Sequence, residues 1–388
     1  MRHAAWAVFL TLALLPSATA GKSEDFQREL ARGLVLLEVG EYEKALIAMR
    51  RAAALNPDRI DLKLRIAALE ARTGQDGLAE RRLRELVARD ADNTDVLREL
   101  GGLLLVRGKH AEAESYLLQV TYGCSHNECT YCAMYRHKTF SARPVEEVLE
   151  DVREAGRRFP ATRRVFLLDG DAMTLSTAKL VPVMEALAAA FPSLQRVGSY
   201  VNAVSVLRKS DDDLRRLRDL KLSIGYLGLE TGDPATAERI VKGATVPEQV
   251  EAVRRAQAAG IRMSVMVLLG MGGRARSKEH AEATADALTA MDPRYVSCLC
   301  VTPVEGTPFY DQVERGEFEM ISPGETLDEL RTIVDRARLS GAVFRSNHAS
   351  NYLPLGGRLP ADRERLLAAI DAARRGDVPL VPEQFRGL

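Results

Sequence analysis

The chain has 388 residues, a length that suits two domains. Its 54 basic residues equal its 54 acidic residues, so it has no net positive field that would attract nucleic acid. One tryptophan and an aromatic content of 5% also argue against stacking platforms for single strands. We therefore expect no nucleic-acid partner.

Residues 1–20 have the pattern of a secretory leader. A charged start at Met1-Arg-His precedes the apolar stretch Ala4 to Leu15, and Ala18-Thr-Ala20 supplies small residues of the kind found at cleavage sites. The apolar stretch is too short to span a bilayer, so no transmembrane segment is expected. The leader also lacks the twin arginines of a folded-protein export route.

Residues 23–112 contain a repeat with a period of 34 residues. Small residues that recur at this period allow antiparallel helices to pack closely, and the pattern resembles tetratricopeptide repeats. Such arrays bind peptides or protein partners, so this segment is interpreted as an interaction module. The aligned columns are Gly33, Ala67 and Gly101; Gly40, Gly74 and Gly108; Ala45, Ala79 and Ala113; and Met49, Leu83 and Leu117.

The third repeat overlaps a predicted strand. Its second helix would run over residues 111–124, yet an apolar run from Tyr116 to Tyr122 also predicts a strand that leads into a cysteine loop. One segment cannot be both. Either the helical array stops early and docks on the next domain, or the chain is a fusion, and with fewer than three repeats we expect marginal stability.

Three of the chain's five cysteines, Cys124, Cys129 and Cys132, lie within nine residues. Three thiolates on one loop can hold three irons of a cubane cluster and leave the fourth iron open for an exchangeable ligand. The alternative is a structural zinc site that adds His126 to the three thiolates. Three clustered cysteines cannot pair among themselves as disulfides without a remainder.

From residue 116 onward, apolar runs alternate with helical stretches rich in Ala, Leu and Arg. Six such strands imply a parallel sheet. Strands this continuous in apolar residues are buried on both faces, and the active site is expected at their C-terminal ends. The predicted strands cover residues 116–122, 164–169, 196–201, 222–229, 263–269 and 295–301.

The cysteine loop resembles that of the radical S-adenosylmethionine (SAM) superfamily. Its sequences Gly-Cys-Ser-His-Asn and Cys-Thr-Tyr-Cys are similar to those of a branch that has one residue more than usual between the first two cysteines. Tyr131 fills the aromatic position before the last cysteine. The resemblance implies an α/β partial (βα)6 barrel of the TIM type. It places the radical SAM core at residues 116–310 and a helical extension that covers the barrel at 311–388.

The same resemblance implies a 4Fe-4S cluster and S-adenosylmethionine as cofactors. The cysteines would hold the metal, the turn at Asp169 would grip the cofactor's amino group, Glu230 the ribose, and the glycines after Leu269 would pass beneath the adenine. Considered alone, the segment at Asp169 could be a tight acidic turn, and Glu230 could be a helix cap. The cofactor-binding candidates are Tyr131, Asp169, Gly170, Asp171, Ser199, Asn202, Glu230 and Leu269.

A C-terminal segment from Phe344 to Leu355 is rich in hydrogen-bonding side chains and is flanked by apolar residues. We expect it to close over the barrel mouth and touch substrate; the alternative is a turn that packs the last helix. The substrate candidates are Arg345, Asn347, His348, Asn351 and Tyr352.

The implied reaction is reductive cleavage of S-adenosylmethionine to a 5'-deoxyadenosyl radical that acts on an unknown substrate. It needs a flavodoxin- or ferredoxin-type reductant. Cys298 and Cys300 are too few for a second four-cysteine cluster. They occupy positions i and i+2 of one predicted strand and are interpreted as small buried residues that fill the core. The alternative is a catalytic thiol that donates a hydrogen atom. This chemistry favours the cytoplasm, whereas the leader argues for export. The alternative function is a repeat-based adaptor with an inactive barrel or a zinc site.

Overall fold

The computed structural model of the chain describes residues 18–57, 59–89, 100, 115–383 and 386–387. The chain divides into two compact units, residues 1–103 and 104–388. Residues 1–17 of the predicted leader lie outside the described residues, as do residues 90–99 and 101–114 of the third predicted repeat. Within the second helix expected at 111–124, residues Ser115–Gln119 form a strand instead. Within the described residues, no helix is both long and apolar enough to cross a membrane.

The described part of the N-terminal unit consists of antiparallel helix pairs. Gly40 and Gly74, with φ of 76° and 74°, turn the chain between the helices of each pair. Gly33 lies against Met49, and a Cβ at Gly33 would come within 3.0 Å of that side chain. The unit is therefore a helical segment of the tetratricopeptide-like kind. Its helices are α1 (Ala18–Glu38), α2 (Tyr42–Leu55), α3 (Ile60–Arg72) and α4 (Asp76–Arg89).

A buried carboxylate joins the helices of this unit. Glu70 on α3 is fully buried, and its Oε1 accepts a hydrogen bond of 2.9 Å from Arg50 on α2 and one of 2.9 Å from Arg82 on α4. Although burial opposes it, these two arginines hold the pKa of Glu70 below its usual value. The ion-pair network therefore fixes how the two repeats pack.

The C-terminal unit is built on an eight-stranded sheet in the order β1-β4-β5-β6-β7-β8-β9-β10. Neighbours are parallel from β1 through β9, and β10 is antiparallel to β9. A separate two-stranded ribbon pairs β2 with β3. The strands are β1 (Ser115–Gln119), β2 (Thr121–Tyr122), β3 (Ser141–Ala142), β4 (Arg164–Leu168), β5 (Arg196–Tyr200), β6 (Leu222–Glu230), β7 (Arg262–Leu269), β8 (Tyr295–Cys300), β9 (Ala342–Ser346) and β10 (Leu355–Leu359).

Helices alternate with the parallel strands, and several begin at side-chain caps. Thr245 and Ser322 accept from the backbone N–H groups of Glu248 and Glu325, which return the bond as capping boxes. The α-helices are α5 (Val145–Arg158), α6 (Thr177–Ala190), α7 (Ala203–Leu207), α8 (Asp211–Asp219), α9 (Pro234–Arg239), α10 (Val246–Ala258), α11 (Gly273–Met291), α12 (Pro308–Glu314), α13 (Pro323–Arg336) and α14 (Arg363–Arg374).

The two faces of the sheet have different neighbours. One face packs against the helices and forms a continuous core with Val165, Leu167, Val197 and Val265. We call the other the interior face; it carries Phe166, Gly198, Tyr200, Ile224 and Tyr226 and the residues paired with them across the strands. The architecture is the predicted partial barrel of parallel strands with helices outside.

The structure differs from the sequence prediction in two places. The first predicted strand is divided at Val120, because Thr121–Tyr122 pairs with Ser141–Ala142 instead of continuing in the sheet. The extension expected to be helical contributes α13 and α14 but also β9 and β10, which enlarge the sheet from six strands to eight.

Candidate active site

The three clustered cysteines lie on the loop between β2 and β3 as free, partly exposed thiols. Arg136 organises this loop by donating to the carbonyl oxygens of Cys132 at 2.9 Å and Cys129 at 2.5 Å. Asn127, whose φ is 50°, donates from Nδ2 to the carbonyl oxygen of Tyr135 at 2.9 Å. The loop's own side chains thus hold its backbone in shape.

The thiols interact electrostatically with one another and with two charged groups. Burial raises the pKa of Cys129 to about 11; Lys242 opposes this shift, and Glu230, Cys132 and Cys124 add to it. Burial also raises the pKa of Cys132. Burial therefore favours the neutral form of these two thiols.

The end of β4 contacts the cysteine loop directly. A Cβ at Gly170 would lie 2.8 Å from Cys124 Cβ, closer than real Cβ contacts come, so only glycine fits there. Asp169 Oδ2 accepts from the backbone N–H of Gly123 at 3.0 Å and from Gln119 Nε2 at 3.0 Å. The predicted Asp169-Gly170 turn is therefore beside the first cysteine.

Asp171 is fully buried and links three segments. Its carboxylate accepts from Ser125 Oγ at 2.9 Å, from Asn202 Nδ2 at 2.6 Å and from Ser205 Oγ at 2.9 Å. Burial raises the pKa of Asp171 to about 6. Asp171 and Asn202 thus hold the cysteine loop against the end of β5.

The predicted candidate Ser199 is buried, and its hydroxyl donates to the carbonyl oxygen of Tyr200 at 2.8 Å.

Glu230 ends β6 in the left-handed conformation, with φ of 65°. Its Oε1 accepts from Lys242 Nζ at 3.0 Å. Burial raises the pKa of Tyr131 well above its usual value, and the negative charge of Glu230 adds to this shift. A Cβ at Gly228 would lie 1.8 Å from Glu230 Oε1, so a side chain there would displace the Glu230 carboxylate. Glu230 thus lies within electrostatic reach of Tyr131 on the cysteine loop.

Lys242 is a site residue that sequence reasoning missed. It lies in the loop after α9, where Val241 and Gly243 have φ of 52° and 79°. The carbonyl oxygen of Val241 lies 2.6 Å from His126 Nε2, and Thr130 donates its backbone N–H to the carbonyl oxygen of Ile240 at 3.0 Å. The only signal in sequence was a lysine before a glycine, which is weak.

Leu269 is buried at the end of β7, and Gly270 follows it with φ of 84°. The backbone N–H of Gly270 donates to Glu329 Oε2 at 2.7 Å, and the same oxygen is 3.6 Å from His280 Nε2. Burial raises the pKa of Glu329 to about 7 and lowers that of His280 to about 4. The loop predicted to lie beneath adenine is thus held by a buried acid.

The C-terminal segment at residues 344–355 reaches the carboxyl end of β8. Asn351 is buried; its Nδ2 donates to the carbonyl oxygen of Cys298 at 2.7 Å, and its Oδ1 accepts from the backbone N–H of Cys300 at 3.1 Å. Tyr352 donates its hydroxyl hydrogen to Glu383 at 2.9 Å.

The other three substrate candidates are placed differently. Arg345 lies on the interior face, paired with Ser297, and Asn347 and His348 are partly exposed.

No group of three or more His, Cys, Asp or Glu side chains in the described ranges is arranged to hold a single metal ion. His126, the fourth ligand in the zinc interpretation, is instead bonded to the carbonyl oxygen of Val241. Cys298 and Cys300 are buried in β8, as the filler interpretation expects.

Residues 118–288 match the family model described as the Radical SAM superfamily. Over 101 residues the chain is 28% identical to the type IV pilus assembly protein PilF of Pseudomonas aeruginosa; the match covers 26% of this chain and 40% of that protein. The chain therefore spans less than half the length of this curated relative.

Three solved structures are similar at low identity. Methylornithine synthase (PylB) is 16% identical, with 67% of this chain and 74% of that chain covered and a TM-score of 0.41. The FeFe-hydrogenase maturase HydG from Carboxydothermus hydrogenoformans is 15% identical, with 91% and 74% covered and a TM-score of 0.40. Coproporphyrinogen III oxidase (HemN) from Escherichia coli is 14% identical, with 57% and 51% covered and a TM-score of 0.44.

Proposed function

We propose that this chain, which belongs to the radical SAM superfamily through its domain at residues 118–288, is an enzyme that cleaves S-adenosylmethionine reductively to act on a further substrate. The observation that carries the proposal is the loop of three free thiols at Cys124, Cys129 and Cys132, which is hydrogen-bonded to the segments that follow β4 and β5. The ends of parallel strands are where such folds place their active sites.

The donor set fits a 4Fe-4S cluster with one open iron. Three thiols are available on the loop, while the remaining cysteines, Cys298 and Cys300, are buried within β8. Three thiolates ligate three irons, and the fourth iron is left for an exchangeable ligand. When bound and reduced, the cluster supplies the electron that breaks the sulfonium bond of S-adenosylmethionine and releases a 5'-deoxyadenosyl radical.

The chain's own residues would position the cofactor. Gly170 allows close backbone approach at the cysteine loop, and Asp169 offers a carboxylate for the ammonium group. Glu230 would accept from the ribose hydroxyls, and Lys242 beside it offers a cation for the cofactor carboxylate. The backbone of Leu269 and Gly270 would lie beneath the adenine, where burial excludes water.

Two partners are implied by this proposal. The chemistry needs a one-electron donor of the flavodoxin or ferredoxin type. The helix pairs of the N-terminal unit and the match to PilF support a protein or peptide partner for that unit. The helix pairs and the match to PilF also support the second candidate function, a repeat-based adaptor.

The test is electron paramagnetic resonance of anaerobically reconstituted, dithionite-reduced protein, with and without S-adenosylmethionine, together with an assay for 5'-deoxyadenosine. We expect a cluster signal that shifts when S-adenosylmethionine is added, and formation of deoxyadenosine. Cys129→Ala should lose both, whereas Cys300→Ala, which leaves the loop intact, should keep both. A protein without cluster, or a cluster that ignores S-adenosylmethionine, would overturn the enzyme proposal and favour the adaptor.

A further inference from the structure

Three side chains of α11 contact the segment that follows β6. They are Arg276, His280 and Thr284, and their spacing of four residues places them along one side of the helix. Each contacts a different residue of the segment at 231–233. Helix α11 therefore fixes the backbone that comes directly after Glu230.

The two outer contacts anchor this segment to the helix. Asp233 accepts from Arg276 Nε and Nη2, both at 2.8 Å, and the backbone N–H of Gly232 donates to Thr284 Oγ1 at 2.8 Å. A Cβ at Gly232 would lie 2.3 Å from the carbonyl oxygen of Ala283, so the segment lies directly against the helix. These two contacts would still hold the segment if the middle one were removed.

His280 makes the middle contact and is fully buried. Its Nδ1 lies 2.7 Å from Thr231 Oγ1, and that oxygen accepts from the backbone N–H of Asp233 at 3.0 Å. Burial lowers the pKa of His280 to about 4, so the imidazole is neutral at neutral pH and one of its nitrogens can accept. Because the hydroxyl oxygen already accepts, we assign its hydrogen to Nδ1, which places the ring proton on Nε2.

The other side of the ring faces a residue that holds the loop after β7. His280 Nε2 lies 3.6 Å from Glu329 Oε2, the same oxygen that accepts from the backbone N–H of Gly270 at 2.7 Å. The separation of 3.6 Å is too long for a hydrogen bond, so the ring packs against the carboxylate. Glu329 is buried as well, and Ser277 Oγ donates to its other oxygen at 2.7 Å. His280 thus stands between Thr231 and the carboxylate that holds Gly270.

We infer that His280 is a positioning residue that fixes the spacing between the Thr231 segment and the Gly270 loop. Under the proposed function, on which this inference rests, these two segments contact the ribose and the adenine of S-adenosylmethionine. His280 is buried behind both segments and acts through Thr231 and Glu329. Loss of its contact with Thr231 lets one segment shift against the other, so the nucleoside part of the cofactor binds less tightly.

The test is an anaerobic calorimetric titration of the reconstituted protein with S-adenosylmethionine and with 5'-methylthioadenosine, which carries the nucleoside part alone. Thr231→Val removes the hydroxyl and keeps the side-chain shape, and it should weaken binding of both probes by about fivefold or more. Thr231→Ser keeps the hydroxyl and should restore most of the affinity. His280→Leu removes the ring nitrogens and should weaken both probes at least as much as Thr231→Val.

A control on the same helix separates positioning from stability. Thr289 Oγ1 donates to the carbonyl oxygen of Ala285 at 2.7 Å and accepts from the backbone N–H of Arg338 at 2.9 Å, so Thr289→Val loses as many hydrogen bonds without touching either segment. It should lower the melting temperature and keep wild-type affinity for both probes. If Thr231→Val also lowers the melting temperature and binds both probes as wild type does, the inference is wrong.

Formation of 5'-deoxyadenosine on the same samples reports the proposed function separately. In Thr231→Val the rise in KM for S-adenosylmethionine should exceed any change in kcat, because the contact acts on cofactor binding. Wild-type protein that forms no deoxyadenosine would overturn the proposed function and this inference with it. An active wild type with unchanged affinity in Thr231→Val would overturn the inference alone.

Discussion

Lys242 Nζ donates a hydrogen bond to Glu230 Oε1 across 3.0 Å, and both side chains are largely buried, with 16% and 10% exposed. Although burial acts to lower it, the negative charge of Glu230 raises the pKa of Lys242, so the lysine stays charged beside the thiols. The pair lies where β6 ends and the loop after α9 meets the cysteine loop. It therefore joins two segments that are twelve residues apart in sequence.

Removal of this cation should impair binding of S-adenosylmethionine. Lys242→Met leaves Glu230 buried without its partner, and loss of one member of a buried pair costs about 3–5 kcal/mol. We expect at least a tenfold loss of affinity in anaerobic titrations, with most of it restored in Lys242→Arg. Wild-type affinity in the methionine variant would contradict the role assigned to Lys242.

Gly170 should be intolerant of any side chain. Its Cβ would lie 2.8 Å from Cys124 Cβ and 3.0 Å from Tyr135, so Gly170→Ala must displace the cysteine loop. We expect less than half the wild-type iron per chain after reconstitution. Gly324→Ala is the matched control, because its nearest neighbour is 3.9 Å away and the position has ordinary backbone geometry. If both variants load iron equally, the loop does not depend on this contact.

Glu329 should make stability depend on pH. Its pKa is raised from 4.5 to about 7, so the folded protein binds a proton more tightly than the unfolded chain. Stability is therefore expected to fall as pH rises from about 4.5 to about 7, by at most about 3 kcal/mol. His280, with its pKa lowered to about 4, acts in the opposite direction, so the comparison with Glu329→Gln isolates the carboxylate.

The measurement is the melting temperature of both proteins between pH 5 and 8. Glu329→Gln keeps an acceptor for Gly270 and cannot ionise, so its melting temperature should rise relative to wild type as pH increases. Parallel curves for the two proteins would show that Glu329 does not titrate in this range.

Glu70 should stabilise the N-terminal unit alone. It is fully buried and accepts from Arg50 and Arg82, which join α2 and α4 to α3. Glu70→Ala should lower the stability of this unit by about 1–3 kcal/mol, because the network loses its shared acceptor. Circular dichroism during heating would detect an earlier helical transition, with Glu85→Gln as an exposed control on α4. Unchanged melting would refute the role of Glu70, and a loss of deoxyadenosine formation would show that the effect is not confined to this unit.

Several elements were predictable because their sequences are locally unambiguous. The run at 164–169 is continuous in apolar and β-branched residues and forms Arg164–Leu168; the run at 263–269 forms Arg262–Leu269. The extra strands β9 and β10 were missed because their local patterns are weak. Gly356 and Gly357 in β10 have low strand propensity, and the strand forms because it can pair with β9.

The site was predictable only in part. Motif resemblance predicted Asp169, Gly170 and Glu230 as cofactor contacts, and the fold places the first two against the cysteine loop and Glu230 beside Lys242. It could not find Lys242, because nothing local distinguishes a lysine that folds back onto Glu230 from one in solvent. It also proposed Asn351 as a substrate contact, and the structure shows its amide bonded to the backbone of β8.

The sequence by itself determined the three clustered thiols, the alternation of strands and helices, and the period of the N-terminal repeat, since each depends on residues close together in the chain. Only the tertiary structure decided which side chains share a space. Lys242 meets Glu230 because the loop after α9 folds back onto the end of β6. Arg345 shares the interior face with Tyr226 because strand pairing brings together residues that are far apart in sequence.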